Sequence, residues 1–115
     1  RVAPGRDTRP YRHVYGVGAS SADAFLDQLV KLDVETGEAR TWRRPRTYAG
    51  EPVFVAAPDA RAEDDGVLLS VVLDAARGAS ALVVLDARTM EEVARAEAPH
   101  AIPAGFHGEF FADAP

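Results

Sequence analysis

Three histidines are present, and one of them sits in a frame suited to aiming a side chain. His107 lies in Ile102-Pro103-Ala104-Gly105-Phe106-His107-Gly108-Glu109-Phe110-Phe111, just after a Pro-x-Gly turn and between Phe and Gly. Iron and zinc both accept a neutral imidazole presented in this way. One imidazole does not hold a catalytic metal, so any further ligands must come from elsewhere. Glu51 stands in Gly50-Glu51-Pro52-Val53-Phe54-Val55. By spacing alone it reads as a surface carboxylate at a strand entrance. Its chemical reading is an acceptor for the ring N–H of a ligating His, a contact that fixes tautomer and orientation. His13, alternating within Tyr11-Arg12-His13-Val14-Tyr15, reads as a packing or surface residue, and His100, after Pro99, as structural. Glu63-Asp64-Asp65-Gly66 lacks the spaced oxygen ligands of a calcium loop and reads as a solvated turn. There is no nucleophile elbow, P-loop or dinucleotide fingerprint. A self-contained zinc enzyme is a poor reading, because no ligand-spaced carboxylate pair accompanies the three His.

The elements that would position these residues have the periodicity of strands. Residues 1–10 read as coil, 11–17 as a strand, 20–24 as a loop, and 25–33 as a second apolar run. Val34-Glu35-Thr36-Gly37-Glu38 is a tight turn in which Gly37 is free to take positive φ. Residues 38–44 return from it, 45–50 form a linker, and 51–57 start a new strand. An acidic loop at 58–66 leads to 67–74, whose near-continuous apolar run predicts burial on both faces. Another buried strand follows at 80–86, then a partly exposed outer strand at 92–98. The loop at 99–105 delivers His107.

Leu29-Val30-Lys31-Leu32-Asp33-Val34-Glu35-Thr36 matches Leu82-Val83-Val84-Leu85-Asp86-Ala87-Arg88-Thr89, with Asp33 and Asp86 53 residues apart. A repeat of this size built from antiparallel strands predicts a β-propeller blade. The alternative is two unrelated hairpins that share Asp-x-x-Thr turn chemistry. Two blades do not close a propeller and would leave sheet edges and faces open.

The 115 residues suit one small domain or part of a large one. With no cysteine there is no disulfide or thiolate metal site. A net charge of −5, from 13 basic and 18 acidic residues, argues against nucleic-acid binding. Lys31 is the sole lysine; the bias to Arg fits salt adaptation and a high-GC genome equally. No apolar run approaches the roughly 20 residues needed to span a bilayer, and no signal peptide is visible. Because Arg1 stands where Met would begin a chain and a strand pattern follows soon after, truncation or processing at the N-terminus is expected.

Several segments then resemble, in order, the C-terminal end of the carotenoid cleavage oxygenase family. That family includes the retinal pigment epithelium isomerohydrolase and the plant and microbial apocarotenoid-forming enzymes. The segments are Gly50-Glu51-Pro52-Val53-Phe54-Val55, Glu63-Asp64-Asp65-Gly66-Val67-Leu68-Leu69-Ser70-Val71-Val72, Leu82-Val83-Val84-Leu85-Asp86-Ala87, Glu92-Val93-Ala94-Arg95-Ala96 and Pro103-Ala104-Gly105-Phe106-His107-Gly108. The resemblance spans residues 11–111. It implies an all-β fold, with about two antiparallel blades of a seven-bladed β-propeller carrying a non-haem Fe(II) on its axis, held by four His. His107 matches the last of these ligands. Glu51 matches a carboxylate that hydrogen-bonds an iron-ligating His and offsets the charge of the metal.

The implied chemistry is dioxygenase cleavage of a carbon–carbon double bond in a carotenoid or apocarotenoid. The partners would be O₂ and an apolar polyene reaching the iron through a tunnel. The implied location is cytoplasmic, with peripheral contact to a membrane. A bulky residue is common where Ala104 stands, so the pocket near His107 would differ in shape. The other three His are absent, and His13 and His100 do not match them. The expectation is therefore a C-terminal piece of an oxygenase, inactive alone, with blade-like repeats at about 11–45 and 51–99 and an iron-ligand segment at 103–111. The competing expectation, from another class, is a non-catalytic β-repeat module; a cooperatively melting monomer without iron would favour it.

Overall fold

Alternation of apolar and polar side chains along short segments produces eight strands in a computed structural model that describes residues 1–113. They are β1 (His13–Gly18), β2 (Gln28–Asp33), β3 (Ala39–Trp42), β4 (Thr47–Ala49), β5 (Val53–Ala56), β6 (Gly66–Asp74), β7 (Ala79–Asp86) and β8 (Glu92–Glu97). Among the described residues there is no helix. All pairings are antiparallel. One sheet runs β1-β2-β3; the other runs β4-β6-β7-β8, with β5 on the same edge of β6 as β4.

The repeat is physical. In the first turn, Asp33 Oδ1 accepts from the amides of Glu35 (3.0 Å) and Thr36 (3.2 Å), and Thr36 Oγ1 accepts from Glu38 N–H (3.2 Å). In the second, Asp86 Oδ1 accepts from Arg88 (2.8 Å) and Thr89 (3.1 Å), and Thr89 Oγ1 from Glu91 (3.2 Å). Aspartate is used because its short carboxylate can reach amides two and three residues on. The residue that closes each turn is left-handed: Gly37 at φ 76° and Met90 at φ 64°. The repeat extends backwards as well. Tyr15 N–H donates to Arg1 O at 2.8 Å, the counterpart of the Leu68–Phe54 pairing 53 residues later.

Period-two alternation sends one side of each sheet into a shared core. Tyr15, Leu29 and Trp42 from the first sheet meet Phe54, Leu68, Val72, Ala81, Val83 and Leu85 from the second. Tyr15 and Phe54 stack with ring centroids 5.7 Å apart. Burying rings of this kind contributes about 2–3 kcal/mol each.

The structure corrects the sequence expectations in four places. The 67–74 segment is buried on one face only: Leu68, Ser70 and Val72 point inward, while Val71 is 43% exposed. On its other face Val67, Leu69 and Leu73 are only half-buried. The linker at 45–50 contains β4, which pairs with Val72–Asp74. The second strand starts at Gln28, leaving Phe25 exposed. Finally, the 63–65 run is not a solvated turn but a link between the sheets. Glu63 accepts from the Arg12 and His13 amides at 3.0 and 3.1 Å. Asp64 binds the ammonium of Lys31 at 2.6 Å, with His13 Nε2 at 3.5 Å. Lys31 points into the core face and is nearly buried, so its charge needs this partner.

Two predictions follow from this architecture. A Cβ at Gly37 meets no atom within 4 Å, so Gly37→Ala tests backbone strain alone. It should cost about 1 kcal/mol, read as a lower denaturant midpoint at unchanged slope. Burial raises the Asp64 carboxyl, but the Lys31 ammonium, with His13 behind it, outweighs burial and holds the group below its ordinary 3.8. Its stabilisation is therefore complete above the unfolded value and is lost as pH falls through the depressed native value. Asp64→Asn should cost about 3 kcal/mol at neutral pH and flatten the acid limb of a stability–pH curve below about pH 4.

Candidate functional site

Glu51 owes its position to a break in the inner edge of the second sheet. β4 and β5 pair along one side of β6 and are separated by Gly50-Glu51-Pro52. Gly50 N–H donates to Val71 O at 2.9 Å, and Gly50 O accepts from Ser70 Oγ at 2.8 Å. This backbone approach is so close that a Cβ on Gly50 would lie 2.7 Å from Val71 O. Pro52 has no N–H to continue the ladder and is itself fully buried. The paired ladder thus stops at Ala49 and resumes at Val53, and Glu51 lies in the gap.

His107 arrives on a strap, residues 98–113, that has no strand or helix. Buried Ser80 fastens its start. Its amide donates to His100 O at 3.0 Å, and its hydroxyl accepts from Ile102 N–H at 2.8 Å. The strap then reaches the inner edge, where His107 Nδ1 lies 3.1 Å from Glu51 Oε2. Phe106 sits edge-on to the imidazole at 4.2 Å. The ring is 69% exposed. Arg1 completes the group: its guanidinium donates to Gly108 O at 2.6 Å and to Glu109 Oε2 at 3.0 Å, and lies 3.5 Å from Glu51 Oε2.

The electrostatics favour an ionised acceptor. Burial pushes Glu51 up, but the His107 hydrogen bond and the Arg1 charge outweigh it and hold the carboxyl below its usual range. An ionised carboxylate only accepts, so the proton between the two groups belongs on Nδ1. In that tautomer Nε2 carries the lone pair, which is the arrangement by which a ligating imidazole is held. The donor set fits one corner of an imidazole-held metal and no more. Among the described residues, no group of three or more His, Cys, Asp or Glu could hold an ion.

The two residues singled out from sequence are therefore neighbours, while the other two histidines lie apart from them. His13 faces Asp64 in the inter-sheet link, and His100 contributes its carbonyl to Ser80. A cleft of about 490 Å³ opens at the other end of the strands, between Arg12, Lys31, Glu63 and Asp64. Its charges are paired with one another, and it is not part of the His107 group. Sequence reading overlooked Arg1 and Ser80. The 53-residue offset could have found Arg1, since it places a cation where the second copy has inner-strand Phe54.

Gly50→Ala should disturb this group before any other. The clash is with main chain and cannot be relieved by a rotamer change. A loss of about 2 kcal/mol or more is expected in denaturant unfolding, with the Ser70–Val71 amides losing hydrogen-exchange protection.

Comparison with known proteins matches this arrangement to one family. The torulene dioxygenase of Fusarium fujikuroi is 44% identical over 108 residues, covering 93% of this chain and 19% of the relative. A carotenoid dioxygenase of Neurospora crassa is 46% identical over 102 residues, covering 88% of this chain and 17% of the relative. The chain thus spans about a fifth of the length of these relatives. The crystal structure of a chimera of ACO and RPE65 superposes with a TM-score of 0.89 at 38% identity, over 94% of this chain and 24% of that one. The two sheets are accordingly blades of the seven-bladed β-propeller class. The family model described as retinal pigment epithelial membrane protein matches residues 1–112, and the chain belongs to that family, the carotenoid oxygenases.

Proposed function

We propose that this chain is the C-terminal two-blade part of a carotenoid cleavage dioxygenase, and that His107 is one of the ligands of its Fe(II). The observation that carries the reading is the 3.1 Å contact between His107 Nδ1 and Glu51, which leaves Nε2 free to ligate. In this reading Glu51 fixes the ring and offsets the charge of the metal. Fe(II) with O₂ would supply the oxidising chemistry that converts one C=C of an apolar polyene into two carbonyl groups. The remaining ligands and the substrate tunnel belong to further blades. Val71 and Leu82, exposed on the other face of the second sheet, are residues such a blade would cover. The two blades are assigned to about 11–45 and 51–99, with the ligand segment at 103–111. The reading includes a cytoplasmic enzyme that takes its polyene from a membrane surface, because such a substrate partitions there.

The test is His107→Ala in a full-length oxygenase carrying this segment. Iron content should fall, with affinity reduced at least about tenfold, and apocarotenoid product should be lost. Retained iron with undiminished turnover would reject the assignment. By itself the 115-residue chain is expected to bind no iron at stoichiometry and to cleave no polyene.

A further inference from the structure

We propose that Arg1 is a positioning residue for this site, a clamp from the first sheet that holds the Glu51 carboxylate and the His107 strap in one geometry. The inference rests on the reading of His107 as a ligand. Arg1 is fixed independently of the site, because its carbonyl accepts from Tyr15 N–H in the inner-strand place of the first sheet. From there its side chain crosses to the second sheet. One guanidinium nitrogen donates to the carbonyl of Gly108, the residue directly after His107, at 2.6 Å. The same nitrogen lies 3.5 Å from Glu51 Oε2, the atom that faces the imidazole. The other terminal nitrogen bonds Glu109 Oε2 at 3.0 Å.

The planar fork suits this task. It offers several donors in fixed relative directions, so it can bind a strap carbonyl and two carboxylates without changing rotamer. A lysine is a point charge that can approach Glu51 or Gly108 but cannot span all three acceptors. The strap needs such a fastening. Ser80 holds it at His100 and Ile102, yet residues 103–107 bridge to Glu51 with no strand pairing. Without Arg1, Glu51 would have to hold the strap by itself, through His107 and the Gly108 backbone, while it also orients the ring.

The test uses an iron-loaded full-length oxygenase carrying this segment, with iron release to a chelator, melting temperature, kcat and KM as readouts. Arg1→Gln should speed iron release about tenfold and lower kcat, with KM and melting temperature unchanged. Arg1→Lys should restore part of the loss. Unchanged iron release in Arg1→Gln overturns the proposal. So does faster release that merely tracks a lower melting temperature and is not relieved by Lys. Should Arg1→Gln fail to fold, Glu109→Ala removes the far anchor of the fork and leaves the strand pairing intact. It should speed release at least twofold, and no change overturns the clamp. Glu51→Gln separates the two ideas. If it speeds release while Arg1→Gln does not, the clamp alone falls. If neither Glu51→Gln nor His107→Ala affects iron, the ligand reading falls and takes the clamp with it.

Discussion

At Gly50 the inner edge of the second sheet approaches β6 so closely that no side chain fits between them. Beyond that contact comes buried Pro52, which has no amide to donate; the chain leaves the ladder between Ala49 and Val53, and Glu51 is released from the sheet. A continuous strand would have directed position 51 to one face or the other of the sheet. The break instead directs it off the edge, where a strap from the far side of the blade can meet it. The His107 contact depends on this placement, as does the point at which Arg1 reaches both partners.

The two sheets are held together by different forces with different consequences. Stacked Tyr15 and Phe54, with the aliphatic residues around them, supply area and most of the attraction. The Lys31–Asp64 pair supplies little net energy, since desolvation offsets much of the Coulomb gain. Its loss is nonetheless costly, because Lys31 left without Asp64 is a nearly buried charge with no counterion. The acidic loop thereby fixes how one blade sits on the next. Arg1, reaching from the first blade to the second, depends on that arrangement.

The repeat also shows where the two copies were free to diverge. The turn after Asp33 closes with Gly37, which adopts its left-handed backbone without strain. The turn after Asp86 closes with Met90 in the same conformation, at a cost of about 1–2 kcal/mol. Met90 is almost wholly buried, and burial of such a side chain contributes about 1.5–3 kcal/mol. The gain outweighs the strain in the second copy. At Gly37 the surroundings are open, so a side chain would bring strain without burial.

Sequence alone determined what local chemistry determines. Alternating or short apolar runs marked seven of the eight strands, the Asp-x-x-Thr pattern marked both turns, and matching strings pointed to the repeat. His107 stood out by its neighbours, whereas Glu51 read as a surface carboxylate until the family resemblance marked it. Missed were features that depend on residues distant in the chain. The strand at Thr47–Ala49 is short and exists because β6 offers it an edge. The 63–65 carboxylates looked solvated because Lys31 and His13, 33 and 51 residues away from Asp64, cannot be seen as its partners in a linear string. An apolar run on 67–74 meant two apolar faces, but whether each face has a neighbour is a matter of packing. Tertiary structure alone decided that Glu51 and His107, 56 residues apart, come within 3.1 Å, because a close backbone approach at Gly50 and a buried hydroxyl at Ser80 act on separate elements and converge only in three dimensions.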